Sequence, residues 1–286
     1  MRRITLFIIL TLFLTGNMHS QRIEIKEPGI LEVYYIKHSE RDTINIGKNF
    51  RDGQMALRIG KDASMFYPVQ RFWRDSLMET DFNKYMEIER KINPPGAQNW
   101  TPLGGLESEF IFKNIPEGKN TVKDRFDLEG WYYEEDVDTP QWELLDSAKV
   151  VLGYECSLAK SNYRGRTWYA WYTMEIPVHD GPWKLGGLPG LIMQAYDSAH
   201  HYIFTANALR HNNISPVGIY MYGSRVSKLT RNDFLKKRYI SNNTKHDYGS
   251  QTRATHGIES MADEEEEEEE VIHVCYDFEE TDYPHK

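Results

Sequence analysis

The sequence is short of cysteine and carries none of the common catalytic motifs. Cys156 and Cys275 are the only cysteines among its 286 residues. It has no Gly-x-Ser-x-Gly nucleophile motif, no His-Glu-x-x-His zinc motif, no phosphate-binding P-loop and no glycine fingerprint of a dinucleotide-binding fold. No class of enzyme is therefore indicated by a motif, and no cofactor is predicted.

Beyond its N-terminus the sequence lacks an apolar run of the roughly twenty residues that a membrane-spanning helix needs. Arg2 and Arg3 precede the apolar segment 4–14, and polar and small residues follow as far as Ser20. This order is typical of a secretory signal peptide. We therefore predict that residues 1–20 are removed on export. We expect the mature protein in the periplasm, at the cell surface or outside the cell, without a transmembrane segment.

Excess negative charge is confined to one short run. The formal net charge is -9, but Asp263 and Glu264–Glu270 supply eight negative charges, which leaves about -1 for the rest of the chain. A near-neutral body argues against nucleic-acid binding. Because like charges repel, the run should stay solvated, and residues 242–270 are predicted to form a disordered acidic linker.

The two cysteines are candidates for a disulfide, because an exported protein enters an oxidising compartment. A bridge between Cys156 and Cys275 would close a loop of about 120 residues, worth about 4–5 kcal/mol on the chain-entropy account. Two independent free thiols are the equally open alternative.

Hydrophobic patterning predicts a β-rich α+β fold. Turn signals recur about every ten residues, which indicates antiparallel strands rather than alternating βαβ units. From Val69 to Ile92 apolar residues instead recur every three or four positions, which predicts one long helix. We predict a single domain over residues 21–241, built as a curved antiparallel sheet or half-barrel with this helix packed on it. Residues 271–286 are predicted to form a C-terminal tail that begins with a last strand at Val271–Phe278.

The segment Ile176–Ile192 is unusually rich in turn-forming residues, with three prolines and four glycines. Pro189 and Gly190 suit the central positions of a type II turn, in which the glycine has a positive φ. We interpret the segment as a corner between a strand ending at Thr173 and a strand beginning at Leu191. A rigid loop that shapes a pocket or receives a partner is the functional alternative.

The preceding strand is aromatic on both faces. Alternation places Trp168 and Tyr172 on one face and Tyr169 and Trp171 on the other. One face should pack in the core, while the other either lines a ligand-binding concavity or is buried as well. The residues predicted to contact a ligand or partner are Trp168, Tyr169, Trp171, Trp183, Leu188, Pro189, Arg164 and Arg166.

Three histidines are candidates for a metal site. His200 and His201 lie in a polar turn, and His211 follows the next predicted strand. Imidazoles are common metal ligands. Exposed turn residues are the simpler interpretation.

The residues Val151–Phe204 carry a family resemblance. The hexapeptide Gly-Leu-Pro-Gly-Leu-Ile at 187–192 follows Leu-Gly-Tyr-Glu-Cys at 152–156 and Trp-x-Ala-Trp-Tyr at 168–172, and Leu-x-Ile-Gly at 57–60 adds a weaker upstream element. These motifs resemble the GLPGLI family of exported Bacteroidetes proteins. The resemblance implies a cell-envelope location, and it implies no defined activity or catalytic residues. A Gly-Tyr-x-Cys strand followed by an aromatic strand is also similar to the half-barrels of periplasmic lipoprotein carriers, an analogy of fold alone.

Three functions remain open on this basis. The first is a non-enzymatic domain that binds a ligand or an envelope protein. The second is an envelope hydrolase that uses Cys156 or a histidine dyad such as His200-His201, since nucleophilic catalysis needs an activated side chain. The third is a structural component that works with an outer-membrane transporter.

Overall fold

The computed structural model of the protein describes residues 23–40, 43, 45–97, 101–126, 129–221, 226–243 and 278–283. The predicted signal peptide, the acidic run and Cys275 lie outside the described residues. So does the predicted last strand, apart from its final residue, Phe278. The predictions for those segments therefore stay predictions.

Nearly half of the described chain forms β-strands, as the alternating pattern predicts. The strands are β1 (Ile23–Glu27), β2 (Leu31–Glu40), β3 (Phe50–Ile59), β4 (Ser64–Pro68), β5 (Phe110–Lys113), β6 (Lys119–Phe126), β7 (Glu129–Asp136), β8 (Glu143–Val151), β9 (Tyr154–Tyr163), β10 (Arg166–Thr173), β11 (Leu191–Asp197), β12 (Tyr202–Arg210), β13 (Val217–Tyr220) and β14 (Val226–Lys228). Twelve of them form one sheet in the order β14-β7-β6-β5-β4-β3-β2-β12-β11-β10-β9-β8, and β1 pairs with β13. Neighbours are antiparallel except for the parallel pair β14–β7, so the sheet is mixed.

The predicted long helix is two shorter helices, α1 (Val69–Thr80) and α2 (Phe82–Ile92). Asp81 separates them, with φ and ψ of -151° and 78°. Its carboxylate accepts a hydrogen bond from the backbone N–H of Lys84 at 2.9 Å. Asp81 is therefore the N-cap of α2, and its non-helical backbone ends α1. A third helix, α3 (Arg231–Asn243), lies later in the chain and contacts β6 and β7.

Contacts between distant strands show that the sheet curls. Eight strands separate β7 from β9 in the sheet order. In a flat sheet they would lie about 40 Å apart. Yet the Arg164 guanidinium, in the turn after β9, lies 3.0 Å from the carboxylate of Glu135 in β7. Tyr163 likewise donates a hydrogen bond to the carbonyl of Asp138 at 3.0 Å. The sheet is not closed, because β14 and β8 remain its two edges.

The main core lies inside this curl. We call the side that carries Tyr35 of β2 and Trp168 of β10 the inner face, and the opposite side the outer face. Inner-face residues pack against Phe234 and Leu235 of α3 and against side chains of the 174–190 loop. A smaller core on the outer face of β3–β6 packs under α1 and β13, where Phe72 of α1 lies against aromatic rings of both β4 and β13.

Candidate functional site

The 174–190 loop joins β10 to β11 at a corner, as predicted. The two strands are antiparallel neighbours, with Tyr172 opposite Ile192. The predicted type II turn is wrong, because the positive φ of 84° falls on Gly187 and not on Gly190. Gly190 is instead needed for close packing. An added Cβ there would lie 2.0 Å from the carbonyl oxygen of Thr173, a separation that no side chain tolerates.

The loop folds back into the interior of the sheet. Trp183 and Leu188 are each 1% exposed, and the Trp183 ring stacks on Trp168 with centroids 5.3 Å apart. Three predicted ligand contacts, Trp168, Trp183 and Leu188, therefore lie in the core. Alternation along β10 sends Trp168 to the inner face, and the loop covers it. Pro189 is the exposed member of the predicted set in this loop.

A largely buried lysine, Lys113, fixes the loop. The Nζ of Lys113 in β5 donates hydrogen bonds to the Asp180 carboxylate at 2.6 Å, the Gly181 carbonyl at 2.7 Å and the Leu185 carbonyl at 3.1 Å. Burial lowers the pKa of Lys113, and the charge of Asp180 opposes that decrease. All three N–H groups of the ammonium are thus used to hold one loop conformation.

A second buried lysine, Lys184, joins the loop to the end of the described chain. Its side chain is 0% exposed; its Nζ lies 2.6 Å from the Glu135 carboxylate and also contacts the Glu280 carboxylate. It also donates a hydrogen bond to the Tyr133 hydroxyl at 2.7 Å. Burial by itself would raise the pKa of Glu280, but Lys184 and Arg231 outweigh it and lower that pKa to about 2.

Residues 278–283, the C-terminal segment, lie along a row of basic side chains. Glu279 is 2.6 Å from the Lys37 ammonium and 3.5 Å from the Arg238 guanidinium. The Nε of Arg166 donates a hydrogen bond to the Phe278 carbonyl at 2.9 Å. The predicted binding residues Arg164 and Arg166 are thus engaged by carboxylates and by this segment. The contact of residues 278–283 with these basic side chains was not predicted from the sequence. The one local signal for it is the pattern Phe-Glu-Glu-x-Asp-Tyr, which combines aromatic and acidic residues.

Beside the loop lies a cavity of about 460 Å³. Its walls come from the loop residues 177–180 and 184–186, from the turn at 60–64 and from the connection at 137–139, with Asn114 and Asn120 between them. Its charged lining residues balance, three of each sign: Lys61, Lys113, Lys184, Asp62, Asp138 and Asp180. Apolar groups such as Ile59 complete the wall. We call this space the loop cavity.

Tyr169 and Trp171, the other predicted aromatic contacts, lie on the outer face and are half-buried. Tyr169 stacks on Tyr196 with ring centroids 5.5 Å apart. The ammonium of Lys149 lies 4.4 Å from the centroid of the Trp171 ring. These two residues are therefore separated from the loop cavity by the sheet itself, and they do not form one site with Trp183.

The cysteine and histidine candidates do not form a reactive or metal-binding cluster. Cys156 is buried, and burial raises the pKa of its thiol, which disfavours the thiolate that a nucleophile needs. His201 and His211 flank the whole of β12, roughly 30 Å apart for a strand of that length, whereas His200 stacks on Tyr196. Over the described ranges, no group of three or more histidine, cysteine or acidic side chains is suited to a metal.

The fold is an open, largely antiparallel sheet curled around its own loop. Residues 160–194, which run from β9 through the loop into β11, match a family described as "Protein of unknown function (Porph_ging)", and this family is found in Bacteroidetes. No curated protein matches the chain. None of the described helices is both long and apolar enough to cross a bilayer.

Solved structures to which the chain shows distant similarity include two crystal structures of PNGF-II. The one in space group P21 is 13% identical with a TM-score of 0.46, and the one in space group C2 is 12% identical with a TM-score of 0.47. Each alignment covers 74% of this chain and 33% of the other. The chain thus spans about a third of the length of these structures.

Proposed function

We propose that the protein is an exported, non-enzymatic domain of the GLPGLI type that binds a small ligand in the loop cavity. The predicted signal peptide at residues 1–20 supports export to the cell envelope. The motifs around the hexapeptide at 187–192 support the GLPGLI assignment. The contact between Arg164 and Glu135, made across eight intervening strands, supports the interpretation of the curled sheet as a half-barrel.

The observation that carries the proposal is the loop cavity itself. Its volume of about 460 Å³ falls in the range of roughly 300–1,000 Å³ that is usual for small-molecule sites. Its walls combine apolar side chains with amides, two hydroxyls, an imidazole and balanced charges. The geometry is pre-formed, because the three hydrogen bonds of Lys113 hold the loop in place. A fixed site needs little ordering when a ligand binds, which favours affinity.

The lining selects the class of ligand. Its formal charges cancel, and Lys113 already pairs with Asp180. The Thr139 hydroxyl and the His179 ring line the cavity and make no hydrogen bond to another described residue. They are therefore available to a ligand. An uncharged molecule that combines apolar groups with hydroxyl or amide groups fits this surface better than an ion does, because an ion would lack a compensating charge.

A cavity-filling variant tests the proposal. In Thr139→Trp a large ring enters at the rim, where the native side chain is exposed. Asn212→Trp adds the same ring on the exposed β12–β13 connection and serves as the control. Saturation-transfer NMR with neutral, anionic and cationic fragments should detect neutral polar binders with the native protein and with Asn212→Trp. Thr139→Trp should lose them. Binding that survives in Thr139→Trp, or binding of ions alone, would refute the proposal.

A second candidate, recognition of an envelope protein, is favoured by the half-buried aromatic row of Tyr169, Trp171 and Tyr196 on the outer face. Aromatic residues are enriched where protein interfaces carry their binding energy. Chemical crosslinking in the native envelope should capture a partner that Trp171→Ala releases and Thr139→Trp retains. The hydrolase alternative is disfavoured for Cys156, because burial raises the pKa of its thiol.

A further inference from the structure

Four basic side chains converge between α1 and the outer face of β6. Arg71 and Arg74 lie one turn apart on α1, and Lys123 and Arg125 share one face of β6 by alternation. Both arginines of α1 lie against Gly104. A Cβ added to this glycine would be 2.8 Å from the Cδ of Arg74 and 3.3 Å from the Nε of Arg71. We call these four residues the basic cluster.

The basic cluster holds more positive than negative charge. Asp75 lies beside the cluster, 3.0 Å from the guanidinium of Arg74. Asp124 follows Lys123 in the chain and therefore faces the other side of β6. There its carboxylate accepts a hydrogen bond from Ser108 and lies 3.3 Å from the Arg238 guanidinium. Two carboxylates, those of Asp75 and Asp124, influence the charge of Arg71 most strongly. Asp75 is the one that lies on the same side of the sheet as Arg71.

Arg71 is the unusual member. Its Nε is buried and has no hydrogen-bond acceptor, and its side chain makes no hydrogen bond or ion pair within the described residues. Burial lowers the pKa of Arg71, and the charge of Arg74 lowers it further. Burial likewise lowers the pKa of Lys123 to about 8, with Arg71 and Arg125 acting in the same direction. A half-buried guanidinium whose Nε has no acceptor is costly, because the nearby Asp75 carboxylate is already paired with Arg74.

We propose that the basic cluster is a binding site for a doubly charged oxyanion, namely phosphate or sulfate, either free or as an ester group on a larger molecule. The planar fork of a guanidinium binds such groups through two parallel hydrogen bonds. A bound dianion would give Arg71 its acceptor and offset the repulsion between the four basic groups. Access from solvent is open on this side, because Arg125 is exposed and the Arg74 side chain is 15% exposed. This site is separate from the loop cavity.

Calorimetric titration with inorganic phosphate, sulfate and phenyl phosphate tests the site, with chloride keeping the ionic strength constant. The native protein should bind at least one of them, and Arg71→Gln should weaken that binding by at least about ten-fold. Arg90→Gln, which removes an exposed charge from α2, should change it by less than about two-fold. Asp75→Asn should tighten binding, because the competing carboxylate is neutralised. Inorganic phosphate and phenyl phosphate together distinguish a free anion from an ester.

A second variant distinguishes an effect on anion binding from an effect on stability. Arg71→Lys keeps the charge but loses the fork, so it should bind more weakly than the native protein and more tightly than Arg71→Gln. Circular dichroism confirms that each variant is folded. Absence of binding by all three anions above the chloride control would overturn the proposal. Equal affinities of the native protein and both Arg71 variants would also overturn it.

Discussion

Lys184 is a counter-charge shared by two carboxylates, Glu135 and Glu280, so its replacement by methionine should be strongly destabilising. Methionine matches the length of the lysine side chain but leaves Glu135 and Glu280 without the ammonium that lies against both. Removal of one partner from a buried ion pair costs about 3–5 kcal/mol. For a chain of this size about 1 kcal/mol lowers the melting temperature by about 2–4 °C, so Lys184→Met should lower it by roughly 6–20 °C.

The double variant Lys184→Met/Glu280→Gln isolates the pair. Because the glutamine carries no charge, loss of the lysine should cost less in its presence. The loss of unfolding free energy in the double variant should therefore be smaller than the sum of the two single losses by about 1–3 kcal/mol. Urea unfolding of the four proteins at pH 7, followed by tryptophan fluorescence, gives these free energies. Strict additivity, or a cost of Lys184→Met below about 1 kcal/mol, would refute the assignment of Lys184 as the counter-charge of Glu280.

The remaining predictions concern pH, the two faces of β10 and the corner. The pKa of Glu280 is about 2 in the folded protein, against 4.5 for the unfolded chain. Ionised Glu280 therefore stabilises the fold fully above pH 4.5, and this contribution is lost as the pH falls towards 2. The stability difference between the native protein and Glu280→Gln, from urea unfolding, should shrink over that interval; a constant difference would contradict this. Trp168→Ala should cost about 3–5 kcal/mol and Trp171→Ala about 1 kcal/mol or less by the same assay, and equal costs would show that both faces are buried. Gly190→Ala should fail to fold or melt much lower in calorimetry, since its methyl group would overlap the Thr173 carbonyl; an unchanged melting temperature would refute the close approach.

Strand patterning allowed much of the fold to be predicted, because a half-buried strand carries its own signal in alternation. The corner at 174–190 followed from its prolines and glycines. The break at Asp81 was missed, since apolar spacing continues across it and only the capping side chain marks the new start. The curl of the sheet was expected, but its extent depends on contacts such as Arg164 with Glu135, which no local pattern reports.

The candidate site was harder to predict than the fold. Aromatic residues were chosen as binding candidates, yet Trp168 and Trp183 stack on each other inside the core. Lys113 and Lys184 resemble surface residues in the sequence, because lysine is rarely buried unless it is paired. Their partners come from distant parts of the chain, 67 and 96 residues away for Asp180 and Glu280. Such pairings depend on the tertiary fold, so sequence spacing does not reveal them.

The hexapeptide 187–192 is accounted for by packing alone, and this constrains where recognition can occur. Leu188, Leu191 and Ile192 are buried, Gly187 has the positive φ, and Gly190 provides the close approach. Apart from the exposed Pro189 ring, no side chain of the motif is available to a ligand. The chemistry of any ligand must then be set by residues around the motif, such as those at the rim of the loop cavity. The family match over residues 160–194 covers this buried loop, and it does not specify which molecule the rim of the loop cavity would bind.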